Sequence, residues 1–270
     1  MAIAVGVCIL VTVVAWWGGS RLLTVGRWQV RFPRVALAAW HAALGIGVLA
    51  VAASIAAAVT ATLSAQHTPN AAVGIAHTVA GWCALGALGA ALVIIGVRSD
   101  EIVGAGSRTF GNVLALPHTS ERLDRRTILL TCRSDEPFAC AIPGRDAAVV
   151  VSTGLRAILT PAQLRAVVAH ERAHLRGRHY LALQLAELDR ACLPSSLAGK
   201  QLLRATTLLV ELIADDDAAR RAGAVHLANA LVHVARHTQD VTLELRAERL
   251  TDREWSPARK LTRADAIFQA

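Results

Sequence analysis

The sequence predicts a mainly α membrane protein, with N-terminal transmembrane helices followed by a small α+β domain. Three observations carry that prediction. Charge is segregated: Met1 to Val97 holds no acid and only Arg21, Arg27, Arg31 and Arg34, whereas all 20 acids and the other 24 basic residues (28 less those four) follow. Long apolar runs fill the charge-poor part. The charged part instead alternates short β-prone segments with capped helical ones. At 54% hydrophobic and 18% charged over 270 residues, the composition excludes a disordered, collagen-like or low-complexity chain.

The apolar part holds three runs, which predict helices at about 1–20, 35–65 and 71–97. Met1–Trp17 is uncharged and reaches spanning length with help from Gly18 to Leu23. Val35–Ala65 is interrupted only by His41 and small hydroxyl residues. Ala71–Val97 follows the polar break Gln66-His67-Thr68-Pro69-Asn70. About 20 apolar residues cross a bilayer, so these runs read as spans within a transmembrane region 1–98. The first run lacks a basic stretch ahead of it, and Trp16-Trp17 makes a poor cleavage site, so it does not read as a secretory signal. Four arginines between runs one and two, and Arg98 after run three, place the first loop and everything beyond Arg98 in the cytoplasm. His41 and His77, inside the runs, read as neutral imidazoles bonded to a neighbouring helix; a functional role is the alternative. Five cysteines without paired spacing give no disulfide framework or zinc knuckle and fit a reducing compartment.

The second domain is expected at 99–240. β-Prone segments around 127–132, 138–142 and 147–152 predict a small antiparallel sheet, with Pro137 and Pro143 suited to edges or turns. A helix start follows: Thr160 as N-cap, Pro161 at the first helical position and Gln163 three residues after the cap.

That helix runs into His170-Glu171-Arg172-Ala173-His174. Four residues of helix turn through 400°, so His170 and His174 project from one face and can hold a single Zn²⁺. Glu171 lies on the adjoining side, where its carboxylate can take a proton from the attacking water and pass it to the leaving amine. The alternative is an exposed, charged helix end, given Arg172, Arg176 and Arg178 nearby.

A zinc site of this kind needs a third protein ligand and one open position. Downstream, Leu202–Arg221 reads as a helix stopped near Gly223. It carries Glu211 among Leu208, Leu209, Val210, Leu212 and Ile213, a setting where a lone carboxylate is costly unless paired or bound to metal. Asp215, one turn on, is placed to orient a ligand histidine through its second ring nitrogen. The alternative for Asp215-Asp216-Asp217 is a solvated acidic patch.

The membrane helices, His170-Glu171-Arg172-Ala173-His174-Leu175-Arg176 and Glu211-Leu-Ile-Ala-Asp215 together resemble the BlaR/MecR-type membrane metallopeptidases, relatives of the HtpX-like and CAAX-prenyl proteases. Ser134-Asp135-Glu136-Pro137-Phe138 through Ser152-Thr153-Gly154-Leu155 resembles the strand pair that precedes their metal helix. The resemblance spans roughly residues 1 to 225. It implies a zincin-like metallopeptidase domain, Zn²⁺ held by His170, His174 and Glu211, a catalytic Glu171, and a polypeptide substrate lying as an added strand on the sheet edge. The chain departs from the sensor members, with no penicillin-binding domain expected and three spans where four are usual.

The expected function is therefore that of an integral membrane zinc endopeptidase with its catalytic domain on the cytoplasmic side. Its expected partners are an unfolded, membrane-tethered or regulatory polypeptide and the lipid bilayer. A non-catalytic membrane receptor or scaffold keeping the fold is the alternative. Arg220, His226 and Tyr180 are candidate oxyanion donors. His233 and His237 have ligand spacing but no intervening Glu, and read as surface or packing residues. Residues 241–270 form a charged tail with interleaved acids and no nucleic-acid recognition motif, so nucleic acid is not an expected partner. An anionic membrane surface suits this tail better.

Overall fold

The structure, a computed structural model, describes residue 23 and residues 27–65, 71–124 and 126–255. The run expected as a helix at about 1–20 lies outside the described residues, as does the end of the tail from 256. The chain is mostly helical: two long apolar helices are followed by a small domain around a four-stranded sheet. It divides into two compact units, residues 1–104 with 184–207, and residues 105–183 with 208–270.

In the first unit a short helix α1 (Trp28–Arg31) leads into α2 (Pro33–Ala65), and α3 (Ala71–Leu114) follows, counted with this unit as far as Gly104. Pro33 sits at the first helical position, where its missing N–H costs nothing. Both long helices are long and apolar enough to cross a membrane. They leave large side chains uncovered, Leu49 at 70% and Trp82 at 71% exposure among them. Exposed apolar surface on that scale is suited to a membrane or to a protein partner. His41 and His77 each donate from Nδ1 to a carbonyl one turn back on their own helix, Leu37 at 3.0 Å and Val73 at 2.9 Å. α3 does not stop where its apolar run ends at Val97. It continues to Leu114 with an Arg98–Glu101 ion pair at 2.8 Å along its surface.

The second unit contains the sheet: β1 (His118–Arg122), β2 (Thr127–Cys132), β3 (Ala139–Ile142) and β4 (Ala147–Ser152), in the order β1-β2-β4-β3. This corrects the expectation of a three-stranded antiparallel sheet. β1 is added at one edge, and β2 and β4 are parallel, with Leu129 opposite Val149. The polar β1, His-Thr-Ser-Glu-Arg, is exposed throughout, so no hydrophobic alternation announced it. β4 takes the inner position because Val149, Val150 and Val151 are apolar toward both faces and nearly wholly buried. Residues 133–138 carry the chain past the end of β4, so that β3 pairs outside it, Ala141 opposite Val149.

That crossing is held at one corner. The Gly154 N–H donates to the Ser134 carbonyl at 2.8 Å and the Thr153 hydroxyl to the same oxygen at 2.9 Å. The Phe138 N–H donates to Ser152 Oγ, and the Ser152 N–H to the Phe138 carbonyl, both at 3.0 Å. A Cβ at Gly154 would lie 2.1 Å from the Asp135 carbonyl oxygen, so only glycine fits there.

One sheet face packs Leu130, Cys132, Ile142 and Val150 against Phe110 and Val113. The other packs Leu129, Val149 and Val151 against Leu155, Leu164 and Val168 of the following helices. These are α4 (Thr153–Ile158) and α5 (Pro161–Gly177). Ser152 caps α4 by accepting from the Leu155 N–H. Thr160 and Gln163 cap α5 reciprocally, as their spacing predicts. Helices α6 (His179–Cys192), α7 (Leu197–Ala222), α8 (Ala224–Thr238) and α9 (Val241–Thr251) complete the described elements. Val241–Thr251, read from sequence as part of a tail, is instead a helix capped by Asp240. Its buried Ala247 and Leu250 join Leu227, Leu231 and Ala218 in a second core.

Candidate metal centre

α5 and α7 supply the site. The capping box fixes where α5 begins and thereby which face His170 and His174 occupy, the face turned from solvent. α7 brings Glu211 over them. The His170 and His174 Nε2 atoms are 3.1 Å apart, and each stands 3.4 Å from a Glu211 carboxylate oxygen. Ligands 2.0–2.1 Å from a tetrahedral ion lie about 3.3 Å from one another, so the three side chains fit a cation of zinc's size. The one group of His, Cys, Asp and Glu side chains placed to hold an ion among the described residues is His170, His174 and Glu211.

The sequence places Asp215 one turn beyond Glu211, and the structure puts its Oδ1 3.0 Å from His170 Nδ1 with the side chain fully buried. A carboxylate at Nδ1 leaves the Nε2 lone pair free to face the other donors. The acidic run is no solvated patch. Asp216 pairs with Arg249 at 2.9 Å, and Asp217 pairs with Arg176 and with Arg221.

Arg246, counted in the sequence with the tail, belongs to the site. Its Nε and Nη2 donate to the two Asp215 oxygens at 2.8 and 2.7 Å, and its Nη1 stands 2.8 Å from Glu211 Oε2. The signal that points to it is helical: Leu243, Ala247 and Leu250 repeat at helical spacing behind the Asp240 cap, and Arg246 flanks that stripe. His179 also belongs to the site, although no motif spacing marks it. Buried just past the end of α5, it places its Nδ1 3.0 Å from His174 Nδ1. Of the oxyanion candidates, Arg220 faces Asp217 at 4.0 Å, while Tyr180 and His226 are exposed. His237 donates to the His233 carbonyl within α8.

Among the side chains themselves, charge is unevenly held. Burial disfavours a charged His170, but the hydrogen bonds to Asp215 and Glu211 and the Asp215 charge outweigh it and raise its pKa to about 10. Burial, reinforced by the His170 charge, pushes His174 down to about 4. For Glu211 burial is overcome by its bond to His170 and the charges of His170 and Arg246, leaving it at about 2. Asp215 is likewise held below the usual carboxylate range: Arg246 and His170 outweigh its burial. Burial raises Glu171, with the His170 charge opposing and the Glu211 charge adding. Glu171 also accepts a hydrogen bond from the Ala141 backbone of β3. One carboxyl is thus held ionised against the two imidazoles while its neighbour is shifted toward neutrality, a division suited to a ligand and a proton carrier.

Residues 117–250, just under half the chain, match peptidase family M48, a match that points to metallopeptidase activity. No curated protein and no solved structure matches the chain.

Proposed function

We propose that the protein is an integral membrane zinc endopeptidase of the BlaR/MecR type. The observation that carries this reading is the convergence of His170 Nε2, His174 Nε2 and Glu211 at ligand spacing, with Glu171 next to His170 on the same helix turn. Two imidazoles and one carboxylate with a fourth position open form the donor set of catalytic zinc. Zinc held there supplies Lewis acidity, lowering the pKa of water toward 7 and polarising a peptide carbonyl.

The chain's own residues do the rest. Asp215 keeps the His170 Nε2 lone pair inward, and Arg246 holds Asp215 and Glu211 in one arrangement. Glu171, steadied by the Ala141 backbone, takes the proton from the attacking water and returns it to the leaving amine. β3 is an outer strand and packs against α5, so an extended polypeptide can pair along its edge beside these groups. In this reading the two long apolar helices cross a bilayer, and the arginine distribution favours a catalytic domain on the cytoplasmic side.

The test is zinc per chain in detergent-purified protein prepared without chelator, beside Glu211→Ala, with hydrolysis of an unfolded polypeptide measured on the same samples. About one zinc in the wild type, markedly less in the variant, and cleavage that follows zinc content support the reading. A folded wild type without zinc or cleavage sinks it and leaves the receptor or scaffold.

A further inference from the structure

His174 has two ring nitrogens, and the ligand role uses only one. Nε2 faces His170 and Glu211, while Nδ1 stands 3.0 Å from the Nδ1 of His179. For Nε2 to offer a lone pair to a cation, a neutral His174 must carry its proton on Nδ1. An N–H at that position, buried, needs an acceptor. The atom in place is His179 Nδ1, which accepts only when the His179 proton sits on its Nε2. The two rings meet edge to face, with centroids 4.9 Å apart, so the contact is directional rather than a stack.

The backbone is shaped around this ring. Gly177 ends α5, and Arg178 follows in the left-handed conformation at φ 48°, which turns the chain so that His179 doubles back toward His174. A Cβ at Gly177 would lie 2.3 Å from His179 Nε2 and 2.6 Å from its Cδ2, inside the ring's own space. Gly177 is therefore needed for the place it leaves empty.

We infer that His179 is a positioning residue for the metal centre: it accepts from His174 Nδ1–H, fixes the tautomer that turns Nε2 toward the metal, and requires glycine at 177 to reach it. His170 and His174 are then held by the same device with different partners, Asp215 for the first and His179 for the second. The inference rests on the metal-site reading above and adds a residue to it. Loss of such an outer partner costs about 10–100-fold in metal affinity.

The experiment measures Zn²⁺ affinity of the full chain in detergent by competition with a chromophoric chelator, for the wild type, His179→Leu, His179→Asn and Gly177→Ala. Leucine and asparagine share the same branched side-chain skeleton, but only asparagine places an acceptor close to where Nδ1 stood. The expected result is an affinity lowered about 10–100-fold in His179→Leu, within several-fold of wild type in His179→Asn, and lowered again in Gly177→Ala. Gly177→Ala combined with His179→Leu should lose little more than either alone, since both remove one contact. Equal affinities for the leucine and asparagine variants would overturn the inference while leaving the metal site standing, as would wild-type affinity in Gly177→Ala. If the leucine variant does not fold, the asparagine and glycine variants still decide it. A wild type that binds no zinc overturns both readings together.

Discussion

Arg246 grips Asp215 at two points, Nε to Oδ2 at 2.8 Å and Nη2 to Oδ1 at 2.7 Å, with the carboxylate fully buried and the guanidinium only 12% exposed. The two residues come from different helices, α9 and α7. The pair ties the last described helix to the acid that orients His170.

Arg246→Met should therefore do more than trim a surface charge. It leaves Asp215 buried without its counter-ion, at a cost of about 3–5 kcal/mol. Arg246→Lys should recover only part of that, because an ammonium group cannot reproduce the two-point contact. Unfolding in detergent, followed by helical signal for wild type and both variants, checks the order. Equal stability of all three would show that Asp215 is held by other groups.

Glu171→Gln keeps the shape of the side chain and removes its capacity to carry a proton. Hydrolysis should fall by about 10²–10⁴-fold in kcat/KM while zinc per chain stays at the wild-type level. Zinc lost in proportion to activity would instead make Glu171 a ligand.

Asp217 offers a pH test away from the metal ligands. Burial opposes its charge, but hydrogen bonds and charge from Arg176 and then Arg221 hold its pKa below the ordinary 3.8. A carboxyl with a depressed folded pKa stabilises the protein above its unfolded pKa, and that contribution disappears as pH falls through the folded value. Asp217→Asn should thus lower stability at pH 7 by about 1 kcal/mol or less, since both arginines are partly exposed. The gap to wild type should close below pH 4. Unfolding curves of metal-free protein across that range measure it, and a gap that widens in acid contradicts the assignment.

Gly154→Ala probes the corner that sends β3 outside β4. The added methyl meets the Asp135 carbonyl oxygen, and the cost should be about 1–3 kcal/mol as the corner shifts. A thermal melt beside Gly144→Ala separates space from backbone conformation. At Gly144 nothing crowds a Cβ, but its φ of 159° is a conformation that residues with a side chain rarely adopt. Gly144→Ala should cost about 1 kcal/mol through backbone strain alone.

What the sequence determined by itself is whatever depends on near neighbours. The two long apolar helices follow from unbroken runs, and the start of α5 from Thr160, Pro161 and Gln163. The common face of His170 and His174 follows from a spacing of four, since helical geometry relates residues one turn apart without help from the rest of the chain. The apolar setting of Glu211 marked it as a candidate for the same reason. Tertiary structure alone decided the relations that cross the chain. Nothing local indicates that β4 lies parallel to β2, because that order follows from how residues 133–138 pass the end of β4. Nothing local indicates that Arg246 reaches Asp215 across 31 positions, because its direction is set by Ala247 and Leu250 burying against α8. His179 falls between the two cases: only five residues from His174, it meets that ring because Gly177 and the left-handed Arg178 reverse the chain between them. Periodicity describes one helix at a time, and a partner on another element is chosen by packing, which no single segment contains.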